Sequence, residues 1–133
     1  MTDNAEFIRS IYKAFERGDV KAILDLLDPS VEWISYSDPK TIPWGGKRSG
    51  VSGAASFFQA FADNVDFEVF EPRQILASGD HVTALGHTRA RFKKAGGGTF
   101  DMEWAHVFTF KNGKISRFQE FNDTAAIEHA FAA

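Results

Sequence analysis

A histidine stands in the alternating run Phe100, Met102, Trp104, His106, Phe108, Phe110, whose other members are all apolar or aromatic. Residues two apart on a strand share a face, so His106 belongs to an aromatic surface. Imidazole titrates near neutral pH and can both give and take a proton. A buried neutral histidine that only packs the sheet is the alternative. Glu120 is the second candidate, because a carboxylate on an apolar face must be paired or its pKa rises. An acid/base pair among aromatic walls is a recognisable catalytic arrangement; a structural ion pair or a solvated carboxylate at a rim is the plainer reading. His87 and Arg89 are two apart and also share a face. Arg89 can neutralise Glu120 or grip an anionic substrate group with two N–H donors, whereas the opposite parity puts both on the outer surface. His87, His106 and Glu120 would form a two-histidine, one-carboxylate metal set. No local ligand spacing enforces it, and no metal is expected. His81 and His129 read as solvated.

The elements that must position these groups follow from periodicity. Phe7, Ile8, Ile11, Tyr12 and Phe15 make one face of a helix over 5–17. Asp3 and Glu6 resemble a capping box at its start, and Gly18 is placed to end it. Asp19 caps a second helix with the stripe Val20, Ile23, Leu24, Leu27, closed by Pro29. A strand over 30–36 leads into the Pro/Gly loop 37–50. A third helix covers 51–62 with Phe57, Phe58 and Phe61 on one side, capped by Ser49 or Ser52. From Val65 the period drops to two, which predicts strands at 65–77, 81–93, 99–111 and 114–122. Asp123 caps a terminal helix. The order predicts one α+β domain over 1–133, a curved antiparallel sheet with helices gathered on one face.

Composition narrows the function. The net charge of −3 gives no basic surface for nucleic acid, and no apolar run approaches the roughly 20 residues of a membrane span. The start "MTDNAEF" has no signal-peptide pattern, so the cytoplasm is the expected location. Absence of cysteine excludes disulfides, thiolate metal sites and cysteine nucleophiles. With 14 Phe, 3 Trp and 2 Tyr, the chain builds either a bulky core or a hollow lined with rings.

The turn "FKNGKI" decides which residues face His106. A two-residue type I′ loop pairs Lys111 with Lys114 and sets His106 opposite Gln119. A three-residue loop with a bulge at Gly113 pairs Phe110 with Lys114. His106 then faces Phe118, Trp104 faces Glu120, and Met102 faces Asn122. One residue of slip turns the last strand over.

The segments "AFERGD", "DPSVEW" and "HVFTFKNGKI", in this element order, resemble the SnoaL-like branch of the nuclear transport factor 2-like superfamily, the fold of ketosteroid isomerase and the polyketide cyclases. The resemblance implies a cone-shaped α+β barrel. Helices pack over the concave face of a bent sheet, an apolar pocket opens at one end, and the convex face makes a homodimer. It places His106 where the isomerase has its oxyanion-binding aspartate. It also turns Phe118, Glu120 and Asn122 into the pocket, which favours the bulged turn, and sets His87 and Arg89 there too. The isomerase's base falls near Ile34 or Ser35, neither able to abstract a carbon-bound proton, and its oxyanion tyrosine falls on Ile11, beside Tyr12.

The expectation is a small-molecule pocket protein without a cofactor, doing proton-transfer chemistry on a mostly apolar carbonyl or hydroxyl compound. Glu120 would be the base, Arg89 or His87 would orient it, and His106 would serve the developing oxyanion. Tyr12, Phe15, Trp33, Ser35, Phe58, Phe61, Trp104, Phe118 and Asn122 would contact the ligand, Tyr36 and Phe57 would add to the walls and mouth, and Trp44 would act as a lid. A non-catalytic ligand-binding dimer and a plain interaction domain are the alternatives; no nucleic-acid or membrane partner is expected.

Overall fold

Asp3 sets the start of helix α1 (Asn4–Glu16) by accepting a hydrogen bond from the Ala5 N–H at 3.2 Å, a cap worth about 1 kcal/mol. Glu6 does not complete a capping box; its carboxylate pairs with Arg9 one turn on. Gly18, at φ +73°, then takes the left-handed conformation that ends the helix. Asp19 caps α2 (Val20–Leu24) through the Ala22 N–H at 3.1 Å. The computed structural model describes residues 3–132.

Strand β1 (Leu27–Ser35) begins earlier than the sequence predicts. Leu27 is a strand residue, and Pro29 lies inside the strand instead of closing α2. The ladder tolerates this proline because pairing with the neighbouring strand breaks between Leu27 and Glu32. Part of the Pro/Gly loop forms strand β2 (Gly46–Ser49), which leads directly into α3 (Gly50–Asn64). Ser49 occupies the N-cap position of α3 without a side-chain hydrogen bond. The meander follows as β3 (Val65–Ser78), β4 (His81–Phe92), β5 (Thr99–Lys111) and β6 (Lys114–Phe121), close to the expected bounds. Asp123 caps α4 (Thr124–Ala132) through the Ala126 N–H at 3.0 Å.

The six strands form one sheet in the order β2-β1-β6-β5-β4-β3, open at β2 and β3. All neighbours are antiparallel except β1 and β6, which run parallel. The architecture is the expected α+β class, with helices packed on a curved sheet. Ile8 and Ile11 of α1, Ile23 of α2 and Phe57 of α3 join the inward side chains of the sheet in one apolar core. No helix among the described residues is long and apolar enough to cross a membrane.

The β5–β6 turn differs from the bulged loop that family resemblance favours. Asn112 and Gly113 both have positive φ, +51° and +77°, and Lys111 pairs with Lys114, as a two-residue type I′ turn requires. A bulge does occur, but at Ser116, where the register shifts between Thr109 and Phe110. The Ser116 hydroxyl donates to the Thr109 carbonyl at 3.2 Å. This bulge restores the inward parity of Phe118 and Glu120, and His106 stands directly opposite Glu120.

Candidate active site in an aromatic cavity

Three strands and one helix bring the polar groups together. β5 turns His106 inward between large rings: Trp104 stacks on it with centroids 4.0 Å apart, and Phe118 meets it edge-on at 5.0 Å. From α1, Tyr12 reaches across so that its hydroxyl lies 2.7 Å from His106 Nδ1. On the other side, Glu120 Oε2 lies 3.8 Å from His106 Nε2. Ser35, paired with Glu120 across the parallel β1–β6 ladder, donates its hydroxyl to Glu120 Oε1 at 2.9 Å. Asn122 donates its amide to the same oxygen at 2.7 Å. Both donors serve Oε1, and Oε2 is left toward the histidine.

Burial sets the charge states. The Glu120 carboxyl is pushed up to about 7 by desolvation, against the opposing pull of Ser35 and Asn122. His106 is pushed down to about 3 by the same cause, so its ring is neutral near pH 7. Burial, aided by the Glu120 charge, holds the Tyr12 hydroxyl well above its ordinary value. A protonated Tyr12 with no other partner among the described residues donates to Nδ1, which puts the imidazole proton on Nε2, facing Glu120 Oε2. The 3.8 Å gap is too long for a direct hydrogen bond. A single oxygen bonded to both would lie beside the line that joins them, because the line's midpoint is only about 1.9 Å from each atom.

These groups border an internal cavity of about 60 Å³. Trp33, stacked on Phe118 at 4.1 Å, forms one wall with Phe58. Phe15, Phe61 and the half-buried Phe67 and Phe70 close another. Asn122 lines the cavity, whereas Ser35 stands behind Glu120 and acts on it. Trp104, fixed by donating its indole N–H to Thr88 Oγ1 at 2.8 Å, completes the floor. The indole N–H groups of Trp33 and Trp44 are buried without an acceptor among the described residues.

Several expectations need correction. His87 and Arg89 do not face the cavity. On β4 the small residues Ala84, Gly86, Thr88 and Ala90 point inward. His87 lies outside, with Nε2 2.8 Å from Asp101, and Arg89 pairs there with Glu68 at 2.7 Å and Asp101 at 3.5 Å. Neither can orient Glu120, and the set His87, His106, Glu120 is not assembled. Among the described residues no three His, Cys, Asp or Glu converge on a metal position. Trp44 is no lid: it is fully buried, stacked on Phe61 at 4.4 Å and near-parallel to Phe92 at 5.7 Å. Arg48 pins its loop by donating to the carbonyls of Pro43, Trp44 and Gly45. Tyr36 is half exposed and stacks on Phe121 away from the cavity. His81 and His129 are exposed.

Sequence reasoning did not single out Phe67, Phe70 or Thr88 as cavity residues. Gly86 is also essential to the geometry, because a Cβ there would collide with the Trp104 ring and come within 2.6 Å of the Glu71 carbonyl oxygen. A glycine inside an otherwise regular strand is the signal that marks such a close approach.

Comparison with known proteins agrees with this architecture. The family model described as the SnoaL-like domain matches residues 8–118. An NTF2-like protein of unknown function from Burkholderia pseudomallei is similar over the whole of both chains, at 25% identity and a TM-score of 0.85. An NTF2-like protein from Burkholderia xenovorans is 26% identical, covering 96% of this chain and 95% of its own, with a TM-score of 0.85. TerC, co-crystallized with polyporic acid, is 25% identical over 98% of each chain, with a TM-score of 0.80. No protein of curated function matches the chain in sequence. With the family model spanning most of its length, the chain belongs to the SnoaL-like domain family of the NTF2-like superfamily.

Proposed function

We propose that this protein is a cofactor-independent enzyme that moves a proton on a mostly apolar carbonyl or hydroxyl compound, in an isomerisation, cyclisation or dehydration. The observation that carries this reading is the array Tyr12–His106–Glu120 beside an aromatic cavity, with a carboxyl that titrates at about 7. A general base works best when its pKa lies near the working pH. Glu120 Oε2 takes the substrate proton. Neutral His106 donates from Nε2 to the oxygen on which negative charge develops, and Tyr12 holds that tautomer. Ser35 and Asn122 fix the carboxylate plane through Oε1. The rings exclude water, which strengthens each of these interactions. The unmatched indole donors of Trp33 and Trp44 favour a ligand with an acceptor oxygen. TerC, a structural relative, was co-crystallized with polyporic acid, which supports a small-molecule occupant here.

The test is proton exchange. Cyclic ketones in D₂O, followed by ¹H NMR, should lose their α-protons faster with the protein present, and Glu120→Gln should lower that rate about 100-fold or more. If no compound exchanges while ligands still bind equally to parent and variant, the protein is a binder and not an enzyme.

We also propose a homodimer through the outer face of the sheet. Leu85, Ala105 and Phe121 are consecutive partners across β4, β5 and β6, and Tyr36 stacks on Phe121. Leu85, Phe121 and Tyr36 are exposed at 37%, 44% and 50%, an apolar row that a second copy would cover.

A further inference from the structure

The cavity beside Glu120 holds about 60 Å³, well under the roughly 300–1,000 Å³ of ordinary ligand pockets. A cleft of about 270 Å³ lies between α1 and β3, and Tyr12 and Phe70 line both spaces. The two rings stand 6.1 Å apart and belong to the walls of both spaces. Joined, the spaces reach the size of an ordinary pocket.

The two rings differ in freedom. Tyr12 is held by its 2.7 Å hydrogen bond to His106. Phe70 is half-buried on β3, an edge strand that pairs only with β4. Its register shifts on both sides, between Phe67 and Val69 and again between Pro72 and Gln74. Bulges weaken a ladder locally and re-aim side chains. Phe70 packs against Phe15, Phe67 and Trp104 at 4.8, 5.6 and 5.2 Å but makes no side-chain hydrogen bond, so a turn of its ring breaks only packing contacts, and Arg73 is the unpaired residue of the second bulge, brought to the cleft wall.

The cleft is chemically unlike the cavity. Its floor is apolar, from Pro72, Ile75 and the two rings, but its exposed rim carries Arg9, Lys13 and Arg73 with Glu16, and two further carboxylates reach the arginines. Arg9 pairs with Glu6, Arg73 contacts Glu71 at 3.6 Å, and Lys13 has no ion pair among the described residues. An arginine engaged by one carboxylate keeps further N–H donors available.

We infer that the α1–β3 cleft is the entrance and outer half of the ligand site, that Phe70 is the gate between the halves, and that the ligand is an amphipathic anion. Its apolar end passes Phe70 toward Glu120, and its carboxylate, sulfonate or acidic hydroxyl stays at the rim cations. The inference rests on the reading of the Glu120 cavity as the reacting end and adds the substrate's charge and polarity.

A matched pair of fluorescent probes tests it: 8-anilinonaphthalene-1-sulfonate, an anion, and N-phenyl-1-naphthylamine, the same skeleton without the sulfonate. The double variant Lys13→Gln/Arg73→Gln alters only exposed side chains. It should weaken the sulfonate about five-fold, as two exposed ion pairs imply, and leave the neutral probe within two-fold. Phe70→Ala should speed association of both probes in stopped flow about ten-fold. Failure of the parent to bind the sulfonate, equal response of the two probes to the double variant, or unchanged association in Phe70→Ala overturns the proposal. Probe binding involves no turnover, so these outcomes test the cleft separately from the proton-exchange assay that tests Glu120.

Discussion

Glu120 has two oxygens with different surroundings, and the difference sets what the residue can do. Ser35 and Asn122 stabilise the carboxylate through Oε1, yet burial wins and raises the pKa to about 7 from an ordinary 4.5. The folded chain therefore binds more protons than the unfolded one between about pH 4.5 and 7. Stability attributable to Glu120 falls as pH rises through that window and is level above it. The whole effect is on the order of 3 kcal/mol. Glu120→Gln should accordingly gain about that much relative to the parent between about pH 4.5 and 7.5, read by urea unfolding at the two pH values. His106 contributes the opposite slope, losing stability as pH falls below about 6.5 toward 3, and this cancels in the comparison. Ser35→Ala removes a donor to the ionised form, so the Glu120 midpoint should rise by about half a unit to one unit in a carbon-13 titration.

Elements decide whether those oxygens meet the histidine at all. Type and extent of the strands were legible, because period-two alternation over β3–β6 is strong and the Asn112–Gly113 pair marks its turn. Facing was only partly legible. The bulges at Ser116, Arg73 and Glu68 each add one residue with no compositional mark, and each turns the following side chains over. Phe70 was missed for this reason, since the Glu68 bulge puts it out of phase with Phe67. His87 and Arg89 were misplaced for another: the inner face of β4 is made of small residues, which lie opposite the large rings of β5, Gly86 against Trp104 and Ala90 against Phe100. Gly86→Ala should push Trp104 off its place over His106 and cost about 1–3 kcal/mol, measured as a lower urea midpoint with an altered tryptophan emission. The segment after β1 reads as a loop from its Pro and Gly content, with Trp44 as a lid, but Arg48 ties down three of its carbonyls. Arg48→Met should free that loop and expose Trp44, raising acrylamide quenching of its fluorescence.

The whole molecule puts the buried Glu120 and His106 on one face of a single sheet and the apolar row of Leu85 and Phe121 on the other. The family resemblance gave the curved sheet under its helices and the inward histidine; it did not give the array of polar groups from Tyr12 to Asn122, which depends on side-chain reach across four elements. A charge in the middle of the outer row should separate two copies: Phe121→Asp is expected to halve the mass in sedimentation while leaving the Glu120 site intact, and a parent chain that sediments as one copy would end the dimer proposal. The central claim is a near-neutral carboxyl facing a neutral imidazole, and one NMR titration of carbon-13 glutamate and nitrogen-15 histidine labels reads both groups at once. The account predicts a Glu120 midpoint of about 7 and a His106 ring that stays neutral, protonated on Nε2, from pH 8 down to about 5. A Glu120 midpoint near 4.5, with His106 titrating near 6.5, would contradict it.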